Sequence, residues 1–269
     1  MKLYISIDME GIWGITSKEQ VHPEGKHYQQ GRELMTEELN LVVETLLNLG
    51  VKEILVNDSH GPMDNVLIEK LHHSVSLITG NHKPLSMMEG IKEDFDGVLF
   101  IGYHPRASTN NGIFDHTYSG KTIESVTVNG KTLSEGGLNA YLAGYFNVPV
   151  IFASGDDVFT KQIIEEIGLL PTLAVKETIS RYAAKHCSKE NLKNLYKEHL
   201  DKAINSSHKS FKMSEPVKAE IRFKENYMLL KPLLLDNVEK VDAKTVTFIS
   251  NNYLSFYKTF QALLQLASL

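Results

Sequence analysis

The segment Ser6-Ile7-Asp8-Met9-Glu10-Gly11 ends an apolar, β-prone run with two carboxylates two residues apart. On an extended backbone such residues share a face, and a neighbouring glycine lets side chains and main chain crowd one small volume. Asp8 and Glu10 could hold a cation there, or could be a polar turn after a strand. The histidines shift the balance. Residues 51–56 form a second short apolar run, ending in Asn57-Asp58-Ser59-His60-Gly61, and residues 96–101 a third, ending in Gly102-Tyr103-His104. In open α/β sheets ligands bind beyond the carboxyl ends of the strands, so Asp8, Glu10, His60 and His104 at three such ends point to one site. Glu135, in the first turn of a predicted helix, is a fifth donor or a charge that favours the helix dipole.

A catalytic zinc generally takes three protein ligands and keeps one position open, so five donors are too many for one such site and suit two. Asp8 is the best placed to bridge two cations with its two oxygens. Two metals roughly 3.5–4 Å apart can activate water and polarise a carbonyl, which is the apparatus of hydrolysis. Mixed imidazole and carboxylate ligation suits Zn2+, with Mn2+ or Co2+ as substitutes. Asp58 is expected to orient a ligand through a hydrogen bond. His116, in a polar loop between His104 and Glu135, could act as general base, general acid or nucleophile toward an amide, or be a loop histidine bonded to backbone. His22, His27, His72, His73 and His82 read as structural, and His186, His199 and His208, among lysines, as solvated. Asp156 and Asp157 read as helix caps or as support behind the ligands.

The elements that must position these groups follow from periodicity. A helix over 27–49, stopped by Gly50, joins the first two strands, and strand-helix-strand order implies a parallel sheet. A short strand at 75–78 and a helical turn within 83–91 precede the third clear strand. Residues 124–128 and 131–133 flank Asn129-Gly130, a hairpin with a type I′ turn. A helix to 146, a strand at 148–154 and a helix to about 167 complete the pattern. After residue 180 the order changes: a helix over 188–204 capped by Ser188, strands at 217–223 and 245–249, and a last helix over 251–267. The expected fold is α/β, a mainly parallel sheet with flanking helices over residues 1–180 that binds metal, plus a smaller α+β portion over 181–269 packed on it.

The chain of 269 residues can bury roughly 75% of its unfolded surface without staples. A net charge of −5 lacks the basic excess that phosphate contacts need, which argues against a nucleic-acid partner. Cys187 is the single cysteine, so any metal must use oxygen and imidazole ligands. The opening apolar run is too short for a signal peptide and no 18-residue apolar run occurs, so no membrane association and a cytoplasmic location are expected.

Together Asp8-Met9-Glu10-Gly11, Asn57-Asp58-Ser59-His60, Gly102-Tyr103-His104-Pro105-Arg106-Ala107-Ser108, Glu135-Gly136-Gly137-Leu138-Asn139-Ala140 and Gly155-Asp156-Asp157 resemble the D-aminopeptidase DppA family of zinc peptidases. The similarity covers the first 180 residues well and continues weakly to the terminal helix. It implies a binuclear zinc site at Asp8, Glu10, His60, His104 and Glu135, with His116 at the position of the catalytic histidine. It also implies action on short peptides with N-terminal D-residues, such as D-Ala-D-Ala, and a ring-shaped homo-decamer with sites facing a chamber. Trp13, Asn110-Asn111 and the Gly at position 136 depart from the family pattern, and a bulky indole beside Asp8 could line the pocket. The alternatives are a metal-dependent hydrolase of another amide or ester, and a non-catalytic metal-binding assembly protein.

Overall fold

Strand β1 (Lys2–Ile7) is buried along nearly its whole length, as a strand covered on both faces must be. It lies inside a seven-stranded sheet, next to the central strand. On one side it pairs in parallel with β2 (Glu53–Asp58), which pairs with β3 (Val75–Ile78). On the other it pairs with β4 (Gly97–Tyr103), and the sheet continues through β7 (Val150–Asp156) and β8 (Thr172–Ser180) to an antiparallel edge strand, β9 (Ala183–His186). A second, antiparallel sheet has the order β11-β12-β10-β5-β6. Its strands are β5 (Ile123–Val128), β6 (Lys131–Thr132), β10 (Val217–Phe223), β11 (Glu239–Lys240) and β12 (Thr245–Ser250). The helices are α1 (Lys18–Val21), α2 (Tyr28–Asn48), α3 (Glu135–Tyr145), α4 (Asp157–Ile167), α5 (Lys189–Asn205) and α6 (Tyr253–Ser268). The computed structural model describes residues 1–268.

Alternation along β1 divides the interior. Leu3, Ile5 and Ile7 face a core shared with α2 and α5, whereas Tyr4 joins Phe100 and Tyr103 in a core shared with α3, α4, α6 and the second sheet. Asn129 and Gly130 adopt φ of +46° and +81°, as the predicted type I′ hairpin requires. That hairpin pairs through β5 with β10 and so belongs to the second sheet, not to the first. The expected boundary after residue 180 falls between β8 and β9, which hydrogen-bond to each other.

Register brings the chemistry together. Ile7 stands opposite Asp58 on one side and Ile101 on the other, so the residues just after these three strands emerge side by side. From β1 the chain runs outward to β2 and β3, then returns to β4 and continues the opposite way. The site therefore sits at the switch point of the parallel sheet. There the loops after β1 and β4 touch: Gly11 N–H donates to the Gly102 carbonyl at 2.7 Å, and a Cβ on Gly11 would lie 2.0 Å from the Tyr103 carbonyl oxygen.

Candidate metal centre and substrate recess

The five proposed donors come from four segments of the chain. Asp8, one residue past β1, is anchored by its N–H to the Ile101 carbonyl, and its Oδ1 accepts from the Met9 N–H. Glu10 and His60 meet it from the adjoining turns, with His60 Nδ1 at 3.3 Å from Asp8 Oδ1 and 2.8 Å from Glu10 Oε2. Glu135 opens α3 behind the Ser134 cap, and its Oε1 accepts from the Tyr118 N–H at 2.6 Å. His104 follows β4 and is almost wholly buried.

The tautomers follow from the backbone. His60 Nε2 lies 2.7 Å from the Val21 carbonyl and His104 Nδ1 2.9 Å from the Pro105 carbonyl. A carbonyl only accepts, so those nitrogens carry protons, and the opposite nitrogens, His60 Nδ1 and His104 Nε2, are the ones able to offer a lone pair to a cation in place of a proton. His104 Nε2 then faces Asp8 Oδ2 at 3.4 Å and Glu135 Oε2 at 3.5 Å. Donors bonded at 2.0–2.1 Å to one tetrahedral ion lie about 3.4 Å apart, so this spacing is that of ligands around a shared cation. Both Asp8 Oδ2 and His104 Nε2 are buried without a hydrogen-bond partner among the described residues. The residues fit a metal.

His116 stacks on His104 with ring centroids 4.1 Å apart and planes 8° apart. Its Nδ1–H donates to the Phe114 carbonyl at 2.8 Å, leaving Nε2 as acceptor 3.7 Å from Glu135 Oε1. The donors form two overlapping groups, Asp8, Glu10 and His104 in one and His104, His116 and Glu135 in the other. His60 joins the first through its Nδ1 contacts.

Electrostatics match the geometry. Burial, then the Glu10 charge, pushes the Asp8 carboxyl up to about 8. Burial opposes ionisation of Glu10, yet the His60 charge holds it well below the usual carboxylate range. His104 is raised to about 10 by Glu135 and Asp8 against its burial. Burial and the His104 charge lower His116 below the ordinary imidazole value. Carboxylates this close demand positive charge among them.

Several supporting groups lie outside the sequence pattern. Lys176, a buried residue of β8, donates its Nζ to the carbonyls of Glu10, Ile12 and Ile15 at 2.6, 2.9 and 2.7 Å and so shapes the turn that carries Glu10. Asp58 accepts from the N–H groups of Asn65 and Val66 and from the Asn65 side chain. It meets His60 only at the backbone N–H, so the ring is oriented by the Val21 carbonyl instead. Asp156 caps α4, and Asp157 accepts from the Thr178 N–H.

Three expectations are corrected. Trp13 points away from Asp8, donating Nε1–H to the Cys187 carbonyl and packing on His186. His186 is an acceptor for the Gly14 N–H, not a solvated residue. His82 lines the recess beside the cluster. Gly136 leaves room for Phe159 and Ile163, 3.0 and 3.1 Å from where its Cβ would be, so that departure concerns packing behind α3.

The cluster opens into a recess of about 260 Å³ walled by Met87, Tyr118 and, from α6, Gln261, Leu264 and Gln265. No helix among the described residues is long and apolar enough to cross a membrane.

Comparison with known proteins gives consistent matches. A family model described as D-aminopeptidase matches residues 1–262. A D-aminopeptidase of Bacillus subtilis (strain 168) is 38% identical over 270 residues, 99% of this chain and 98% of that protein. The structure of the Zn-dependent D-aminopeptidase DppA from Bacillus subtilis, described as a self-compartmentalizing protease, aligns with a TM-score of 0.96 at 38% identity, covering 100% of this chain and 98% of that one.

Proposed function

The chain belongs to the D-aminopeptidase family, and from that premise we propose that it hydrolyses short peptides with N-terminal D-residues, such as D-Ala-D-Ala, at a two-zinc centre. Asp8, Glu10, His60, His104 and Glu135 would hold the metals, with Asp8 between them. The observation that carries this reading is the unpartnered pair Asp8 Oδ2 and His104 Nε2, buried 3.4 Å apart. Two cations held there supply Lewis acidity toward a carbonyl oxygen and toward water.

The chain's own groups do the rest. The free amine of a peptide would be held at the inner end of the recess, by a carboxylate or a metal, which selects for an unblocked N-terminus. The oxygen of water attacks the scissile carbonyl carbon, and His116 Nε2, unprotonated because Nδ1 carries the ring proton, accepts the proton released. His116 then returns it to the leaving amine nitrogen as the C–N bond breaks. The His116 ring is held by its Nδ1–H bond to the Phe114 carbonyl and by its stacking on His104, and Glu135 is fixed by the Tyr118 N–H. The small recess suits a dipeptide rather than a large ligand. By analogy with the self-compartmentalizing relative, the chain assembles into a ring around an internal chamber, with a decamer as the expected size. A cytoplasmic location accords with the single cysteine.

Hydrolysis of D-Ala-D-Ala beside L-Ala-L-Ala by zinc-reconstituted protein, with a chelated control, tests the function. Chelator-sensitive cleavage of the D-peptide alone is expected. Cleavage of neither peptide would overturn it.

A further inference from the structure

The recess has two chemically different ends. The inner end is the carboxylate and imidazole cluster, and the outer wall is made by α6, with Asn81 and His82 beside it. No Lys or Arg is among the residues that line it, so the outer end offers a ligand neutral donors only. Within that wall Gln261 Nε2 is buried and has no hydrogen-bond partner among the described residues. The Tyr257 hydroxyl, one turn earlier on α6, lies beside the Gln261 side chain but is already bonded to Tyr118 and Asn139. A buried amide donor left unpaired costs stability, and such groups persist where something else needs them. Asp8 is the other recess residue with an unpaired buried atom, and in the proposed function a metal would be its partner.

A second groove continues outward from the recess. It shares Asn81, His82, Ser86, Gln261 and Gln265 with it and runs on over Lys83, Pro84 and Ala262, with the Lys83 ammonium already bonded to Asn57 Oδ1 and the Asp58 carbonyl. Gln261 therefore stands where the closed recess meets the open groove. A peptide whose N-terminus lies at the cluster would extend from the recess toward this junction.

We propose that Gln261 is a specificity-determining residue. Its side-chain N–H donates to the main-chain oxygen of the substrate residue that follows the scissile bond, a carboxylate oxygen in a dipeptide and a carbonyl oxygen in a longer peptide. The terminal amide torsion is soft, so a small rotation aims the donor into the recess without moving α6. The inference rests on the aminopeptidase reading.

Gln261→Met keeps the length of the side chain and removes the donor. With D-Ala-D-Ala as substrate, KM is expected to rise about tenfold, with kcat within about twofold and zinc content unchanged. The melting temperature should hold or rise, because an unsatisfied donor has been removed. Gln261→Glu is the second variant. Its carboxylate should raise KM for the dipeptide acid more than for D-Ala-D-Ala amide, because only the acid carries an opposing charge. An unchanged KM in both variants, with wild-type turnover intact, overturns the role of Gln261 and leaves the aminopeptidase reading standing. A melting temperature that falls while KM holds marks Gln261 as merely structural and overturns it too. A wild-type protein that cleaves no peptide overturns the aminopeptidase reading and this inference with it.

Discussion

His60 and His104 each commit one ring nitrogen to a backbone carbonyl and turn the other toward carboxylates. Replacing an imidazole or its carboxylate partner removes a ligand and, at His60, His104 or Glu135, one hydrogen bond to the backbone. For Glu10→Ala and His104→Ala, we expect zinc per chain to fall and D-Ala-D-Ala hydrolysis to drop at least about a hundredfold, with the circular dichroism spectrum unchanged. Wild-type turnover in both variants would sink the ligand assignment. His116 gives a pH prediction. Burial and the neighbouring His104 hold its pKa below the ordinary imidazole value, and any cation at the cluster pushes it the same way. A depressed imidazole is neutral at pH 7 and protonates only at lower pH, so the acid limb of kcat/KM should fall below pH 6.5 and vanish in His116→Gln. Four of the five proposed donors were legible because they follow strands that the apolar pattern marks, and Glu135 because it opens a predicted helix. The Val21 carbonyl and the Tyr118 N–H were not, because a backbone group leaves no residue type to read. His82 and Gln261 are brought to the recess by contacts with no local periodicity.

At the scale of elements, the turn from Asp8 to Ile15 has no regular structure and depends on β8. The Lys176 ammonium satisfies three of its carbonyls from within the core, and burial lowers that group to about 8. Lys176→Met should cost on the order of 3 kcal/mol by urea unfolding, since buried acceptors lose a charged donor. Zinc affinity should fall about tenfold as Glu10 loses its fixed position. Equal zinc affinity in the variant would show that the turn holds its shape unaided. Lys176 also helps explain why β8 was missed. A strand is read from its apolar alternation, and in Thr172–Ser180 a buried lysine directly follows buried Val175. Where alternation is clean, as in Val217–Phe223, the strand was found with its ends in place.

For the whole molecule, metal and fold are coupled. Asp8, Glu10 and Glu135 are buried together, so the apoprotein carries repulsion that a cation relieves. Zinc at 100 times its dissociation constant should stabilise the protein by about 2.7 kcal/mol, a rise on the order of 5–10 °C in melting temperature that a chelator reverses. A melting temperature indifferent to zinc would place the metal elsewhere. The sequence implied the parallel sheet but not the second sheet, because β5 finds its central partner β10 roughly 90 residues later. That separation has a consequence for synthesis. On the ribosome, the apolar residues Ile123, Val126 and Val128 emerge after four of the five proposed metal donors and just ahead of Glu135, and at 5–20 residues per second they wait about 5–20 s for their neighbour. During that interval the nascent chain exposes an unpaired strand edge, which makes it a natural client for a holding chaperone until the final helix is released.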